Sequence, residues 1–269
     1  MVIEMDAIAN IKREYINNLA SEGKRVDERA LDEYRNLKII PNYIKKAEGS
    51  AFVELGGTKV IVGVKYDVGT PFPDIPNEGV MTTSAELPPM ASPDFESGPP
   101  GEDAIELARV VDRGIRESKA IDTEKLCIKP GELVRIVFVD IQVLDDGGNL
   151  IDACGIGAIT ALKCARMPVY DEDGNPTEEI EALPLRKVPV TCTIAKIGGN
   201  LLVDPEKDEE KVMQSRVTVS TDEDGNIVAM QKGIDGSFKL EEIMEAVRLA
   251  KVKGQENREK ILKAIEEAE

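Results

Sequence analysis

The 269-residue chain contains no histidine and no tryptophan, and only five tyrosines and five phenylalanines. Without imidazole, every mechanism that uses histidine as a base, a nucleophile's partner or a metal ligand is excluded. Any chemistry falls to carboxylates, Lys, Tyr, Ser/Thr and backbone amides. Basic residues are also scarce: 34 Lys and Arg stand against 51 Asp and Glu, a formal net charge of −17. Phosphate affinity comes from neutralising cations, so such a chain is not a free-standing nucleic-acid binder. Contact with RNA would require a local basic patch or the help of partners. Long apolar runs are missing too. Stretches such as "VIVGV" are strand-sized, and none could span a bilayer. The start, "MVIEMDAIANIKREY", is acidic and amphipathic and lacks the plan of a signal peptide. Cys127, Cys154, Cys164 and Cys192 form no CxxC pair and have apolar neighbours, the pattern of reduced, buried thiols. A cytoplasmic location is expected.

At 42% hydrophobic and 32% charged, the composition is that of a globular protein with room for one large domain or two small ones. Residues 5–20 read as a helix with Ile8, Ile11, Tyr15, Ile16 and Leu19 near one face, stopped by Gly23. "LKII" reads as a strand. Residues 51–55 and 58–66 read as a hairpin turned at Gly56-Gly57. Residues 67–101 hold eight prolines and little periodicity, so a long functional or wrapping loop is expected there. "ELVRIVFVDIQVLDDGGN" is a strand ending in a turn. "LIDACGIGAITALKCAR", residues 150–166, is small and apolar on most sides, as a helix buried against a sheet would be. Residues 170–182 carry six acids and no Lys or Arg, the composition of a solvated connection. Beyond it, strands and turns lead to a C-terminal amphipathic stretch that reads as one long helix or as two divided at Gly254. The strands-then-helix order thus recurs, and an internally duplicated α+β fold is expected. The divisions read as a helical extension (1–22), a first half (23–170), an acidic connection (171–187) and a second half with the C-terminal helix (188–269).

One helix stands out. "IELARVVDRGIRES" places Arg109, Arg113 and Arg116 within about 60° of one another around the axis. Ala104, Leu107, Ala108, Val111 and Ile115 form the opposite, core-facing stripe. The bland reading is that the arginines are solvated and pair with Glu106, Asp112 and Glu117. The sharper reading is a local basic face on an acidic protein.

In order and spacing, "KRVDERALDEYR", "GSAFVELGGTKVIVGV", "IELARVVDRGIRES", "VLDDGGNLIDACGIGAITAL" and "LLVDPEKDEE" resemble the RNase PH family, and within it the non-catalytic RNase PH-like subunit type of the archaeal exosome. The resemblance spans residues 20–255. It departs at Asp27-Glu28-Arg29, where relatives often have Asp-Gly-Arg, which weakens a tight-turn reading at Glu28. The resemblance implies two tandem ribosomal-S5-like halves and a hexameric ring. In that ring a catalytic RNase PH-like subunit would alternate with this type, S1, KH or zinc-ribbon cap proteins would bind one face, and single-stranded RNA would be degraded from its 3′ end by phosphorolysis. Neither DNA nor a membrane is expected as a partner, and neither a cofactor nor a metal ion is expected.

The resemblance also bears on chemistry. Active relatives hold phosphate on a Gly-Gly-(Ser/Thr)-Arg turn at a helix N-terminus, where amides, dipole and guanidinium favour an anion. Here the matching residues are Gly147, Gly148, Asn149 and Leu150. The turn persists as a vestige, the arginine is gone, and Asp145 and Asp146 precede it. Of the family's two acids, Glu209 falls near the first, while Val212-Met213-Gln214-Ser215 falls at the second. A catalytically inert subunit is therefore expected. Arg109, Arg113 and Arg116 become RNA-binding candidates, with Lys65 a lesser one. The alternative is a phosphate-dependent 3′-5′ exoribonuclease active in its own right. A small-molecule kinase-like enzyme is a third reading, opposed by the absence of a GxxxxGK[ST] loop.

Overall fold

The computed structural model describes residues 2–171 and 174–268, with side chains from residue 11 onward. Helix α1 (Val2–Ser21) leads into β1 (Leu37–Pro41), β2 (Gly49–Leu55), β3 (Thr58–Gly69) and β4 (Val80–Glu86). Helix α2 (Glu102–Glu117), a short 3₁₀ turn, β5 (Cys127–Lys129), β6 (Leu133–Asp145) and α3 (Leu150–Cys164) complete the first half. Strands β7 (Arg166–Tyr170) and β8 (Pro176–Ala182) form a hairpin. The second half holds β9 (Val190–Ile197), β10 (Asn200–Val203), α4 (Lys207–Glu210), β11 (Ser215–Thr221), β12 (Ile227–Gly233) and α5 (Leu240–Glu266).

The first sheet runs β1-β2-β3-β6-β4, with β5 on β6; the second runs β10-β9-β11-β12. Among the described residues only the β4–β6 strand pair is parallel. The two-unit α+β architecture is as expected. The halves share antiparallel sheets with helices against them but differ in strand order. The second strand of the opening hairpin, β3, is central in the first sheet, whereas the first strand, β9, is central in the second. One continuous apolar core joins the halves, from Val53 and Val62 through Ile159 to Ile194, Val219 and Leu249. Helix α3 is wedged in this core. A Cβ on Gly157 would stand 2.7 Å from Val62, and one on Gly155 would stand 3.4 Å from the Thr191 hydroxyl. The two glycines of the small-residue helix therefore admit a different sheet on each side.

Several expectations change. The Gly56-Gly57 hairpin forms as read, with Leu55 opposite Thr58. The proline-rich stretch is not all loop: "VMTTSAE" forms β4 and pairs with β6, a short β-branched run hidden between prolines. The acidic connection is the β7–β8 hairpin, whose second strand is exposed throughout, as its charge requires. Arg135 anchors it, pairing with Glu181 at 2.7 Å and lying over the Tyr170 ring. Helix α5 runs unbroken through Gly254, where a Cβ would meet the Thr221 hydroxyl at 2.6 Å. Helix α1 docks on this chain's own second half, with Ile16 and Ala20 against Ile197 and Leu202. Leu19 is half-buried and Ile11 and Tyr15 stay exposed; the Ile8 side chain lies outside the described residues. The turn at Glu28 also forms, with Glu28 held at φ 65°. The residue accepts a left-handed conformation because Arg29, just after it, is tied to Asp27 and Asp204.

The halves are also joined by charge. Arg25, 4% exposed, meets Glu209, 1% exposed, in a bidentate pair of 2.9 and 2.5 Å. Its remaining guanidinium protons go to the carbonyls of Val203 and Asp204 at 2.8 Å and of Glu33 at 3.4 Å. Removing one partner of such a pair strands a buried charge. Arg25→Met should therefore destabilise the isolated chain by about 3–5 kcal/mol, while Arg25→Met with Glu209→Leu should recover most of the loss. Urea unfolding of both variants checks this; a loss below about 1 kcal/mol in the single variant would contradict it.

Candidate nucleic-acid interface

Helix α2 forms because its apolar residues recur at helical spacing, and Glu102 and Asp103 in its first turn complement the dipole. Its buried stripe includes Ala104, Leu107, Ala108, Val111 and Ile115. The opposite face is open. Arg109, Arg113 and Arg116 line one groove of about 370 Å³ with Thr82 and Thr83 of β4, and with Ala108, Asp112 and Glu117 of α2. Three guanidiniums against two carboxylates make the groove locally basic on a chain of net charge −17.

The three arginines are held differently. Arg116 makes a two-pronged contact with Asp112 at 2.9 and 2.8 Å and donates to the Met81 carbonyl at 2.9 Å. Asp112 also accepts from the Thr83 hydroxyl at 3.3 Å, so Arg116 is braced against β4. The hydrogen bond to Asp112 raises the Arg116 pKa further above its usual value. Arg113 donates to Gln231 of β12, at 2.9 Å, a contact from the second half. Arg109 is exposed and has no ion-pair or hydrogen-bond partner among the described residues. The solvated pairing therefore holds for Arg116 with Asp112; Glu106 instead takes Arg216 of β11 at 2.7 Å. Lys65 does not reach the groove. It sits on β3 and pairs with Glu48 at 2.6 Å.

The glycine turn lies elsewhere, at the amino end of α3. Asn149 caps the helix at φ 53°, and Gly148 precedes it at φ 91°. A Cβ on Gly148 would collide with the backbone of Glu206 and Lys207. The turn is clamped from all sides. Arg35 donates to the carbonyls of Gly147 and Gly148 at 2.7 and 3.0 Å, and the Thr58 hydroxyl donates to Gly148 O at 2.5 Å. The Gly148 amide donates to Asp146 at 3.1 Å and the Asn149 amide to Glu210 at 2.8 Å. The Leu150 side chain offers no charge to an anion.

Behind the turn lies a buried polar network that no local pattern announced. Asp152 and Asp204 are both fully buried. Asp152 accepts from the Tyr34 hydroxyl at 2.6 Å, from Asn149 Nδ2 at 2.8 Å, and from the amide and hydroxyl of Thr193 at 2.9 and 2.8 Å. Asp204 accepts from Arg35, Arg29 and Asn149. Asp204-Pro205 reads locally as a turn, and Asp204 does take φ 52°, but its carboxylate is the hub of this network. Glu209, the acid nearest the family's first carboxylate, is committed to Arg25. No group of three or more acidic or cysteine ligands suited to a metal ion occurs among the described residues, and no described helix is long and apolar enough to cross a membrane.

These features can be set beside known proteins. The model of the 3′ exoribonuclease family, domain 1, matches residues 33–168, and that of domain 2 matches residues 187–253. The chain belongs to the RNase PH family of 3′ exoribonucleases. It is 59% identical over 267 residues to the "Exosome complex component Rrp42" of Thermococcus onnurineus, covering 97% of this chain and 98% of that protein. A solved structure described as the Archaeoglobus fulgidus exosome with RNA bound to the active site contains a chain 47% identical to this one. It superimposes with a TM-score of 0.89 over 94% of this chain and 99% of that one. A chain of an archaeal exosome core is 44% identical, with a TM-score of 0.86 over 96% of this chain and 99% of that one.

Burial pushes the Asp152 carboxyl up to about 6, although the hydrogen bonds from Tyr34, Asn149 and Thr193 oppose the shift. The native state thus holds this proton more tightly than the unfolded chain, whose Asp titrates near 3.9. The resulting stabilisation is complete below about pH 4 and is lost as pH rises through about 6. Between pH 7 and pH 5, Asp152 should add about 1 kcal/mol of stability, and Asp152→Asn should remove that part of the slope. Urea unfolding of both proteins at the two pH values measures it; parallel slopes would contradict the assignment.

Proposed function

We propose that this chain is a non-catalytic, RNA-holding subunit of a hexameric exosome ring. The observation that carries the reading is the groove in which Arg109, Arg113 and Arg116 face one open space. The names of the similar proteins, exosome components and an exosome with RNA bound, support the same setting. In the ring, the neighbour is a catalytic RNase PH-like subunit, S1, KH or zinc-ribbon cap proteins cover one face, and the ligand is single-stranded RNA. The setting is cytoplasmic, without DNA or membrane partners.

Phosphorolysis requires a phosphate held in line with the scissile bond and a carboxylate that moves a proton or holds a metal. In this chain Leu150 stands where a guanidinium would meet the phosphate, and Glu209 is locked in a buried ion pair with Arg25. Both features speak against phosphorolysis by this chain alone. What the chain offers is positioning. A substrate backbone held by fixed guanidiniums enters the neighbour's site in register, and small misplacements of substrate cost orders of magnitude in rate. The alternative, an exoribonuclease active by itself, needs a free carboxylate beside an open anion site, and the geometry around Glu209 and Leu150 disfavours it.

Two measurements follow. The purified chain with RNA and phosphate should release no nucleoside diphosphate above background, and any phosphate-dependent release would establish the alternative. In the assembled ring, changing Arg109, Arg113 and Arg116 to Ala should weaken RNA binding and flatten the dependence of log affinity on log salt by up to about two units, at about 0.7 per lost phosphate contact on single strands. An unchanged slope in an intact ring would return the three to the role of solvated surface charge.

A further inference from the structure

The amides of the turn that leads into α3 are already occupied. The Glu210 carboxylate accepts the Asn149 amide at 2.8 Å, and one residue earlier Asp146 accepts the Gly148 amide at 3.1 Å. Both acceptors are ionisable oxygens of this chain. Lys207 pairs with Asp146 and lies 3.6 Å from Asp94, so it supplies a cation beside the two acids. Delivery is built into the fold. The Lys207 amide donates to Gly147 O at 2.9 Å, and the absent Cβ of Gly148 leaves room for the Glu206–Lys207 backbone. Helix α4 of the second half is therefore seated on the turn of the first, with Glu210 pointing at the helix end. Burial pushes the Glu210 carboxyl up to about 7, and Asp146 pushes the same way, while the Asn149 amide and Lys207 oppose the shift. A helix N-terminus favours a negative group, and a small oxyanion is its usual guest. Here the guest is intramolecular.

We propose that the Glu210 carboxylate stands in for an inorganic oxyanion at the amino end of α3, closing this chain to phosphate by occupation. The inference builds on the reading of the subunit as non-catalytic and adds a second cause to the missing guanidinium at Leu150. It makes an asymmetric forecast. Leu150→Arg alone leaves the site filled, whereas removing the Glu210 side chain vacates the Asn149 amide.

The test is titration of the full chain with inorganic phosphate, without RNA, following the backbone amide resonances of Gly148 and Asn149 by NMR. Wild type and Leu150→Arg should show no saturable shift at millimolar phosphate. Glu210→Ala should show one, and Glu210→Ala with Leu150→Arg should bind at least tenfold tighter, since a charge-assisted contact is then available. Glu210→Gln, which keeps the shape and an acceptor oxygen, should remain closed. Glu210→Ser serves as a second vacating variant if the alanine protein does not fold. Saturable phosphate binding at these amides in wild type would overturn the proposal. So would a folded Glu210→Ala or Glu210→Ser protein that binds none, and so would a Glu210→Gln protein that binds as well as they do, which would point to charge repulsion. RNA phosphorolysis by the wild-type chain would instead strike the non-catalytic reading, and the amide titration distinguishes the two failures.

Discussion

The fold turns on one buried carboxylate. Asp204, 0% exposed, accepts from the Arg35 amide and Nε at 2.9 Å and from Arg35 Nη2 at 2.7 Å. Arg29 donates at 3.1 Å and Asn149 Nδ2 at 2.7 Å. A charge taken out of water is tolerated only when its lone pairs are filled by well-placed donors, and here two guanidiniums, a backbone amide and a side-chain amide fill them. The donors come from two places in the chain, the segment after α1 and the cap of α3, and they converge on the stretch after β10 that carries Asp204 itself. That single node fixes the arginine-rich segment, sets the first half's glycine turn against the second half, and brings α4 with Glu209 and Glu210 into place.

From that constraint follows a separation of the chain's two polar regions. Around Asp204, every cation is consumed internally: Arg25 by Glu209, Arg35 and Arg29 by Asp204, and Lys207 by Asp146. The glycine turn and the acids around it are bound up in internal contacts. On α2 the opposite holds. The helix buries its apolar stripe and leaves Arg109 unpaired among the described residues, Arg113 on a single neutral contact with Gln231, and Arg116 braced by Asp112. Guanidiniums kept charged and aimed in this way are suited to a polyanionic strand, and the chain's overall acidity limits indiscriminate nucleic-acid binding.

Much of this was legible in the sequence and some was not, for identifiable reasons. The Gly56-Gly57 hairpin, the α2 stripe and the buried α3 follow from local periodicity and turn chemistry, which act over a few residues. Strand β4 escaped because seven residues between prolines carry too short a signal, and β8 because its solvent-exposed strand shows no alternation of apolar and polar residues. Gly254 reads as a helix break in isolation; only the approach of Thr221 explains why a glycine persists inside α5. The Asp204 node was invisible. Arg29, Arg35, Asn149 and Asp204 are each ordinary surface-type residues, and their meaning lies in pairings across 55 to 175 residues of chain. The arginine face of α2 was visible as geometry, but only the structure shows that Thr82 and Thr83 complete its groove and that Lys65 stands apart.

The division of labour between this chain and a catalytic neighbour is tested most directly in a mixed ring whose neighbour carries a neutralised catalytic carboxylate. With RNA and phosphate supplied, the account predicts that release of nucleoside diphosphate falls to background while RNA is still bound. Release that persists in that ring would place a reaction site in this chain and contradict the account.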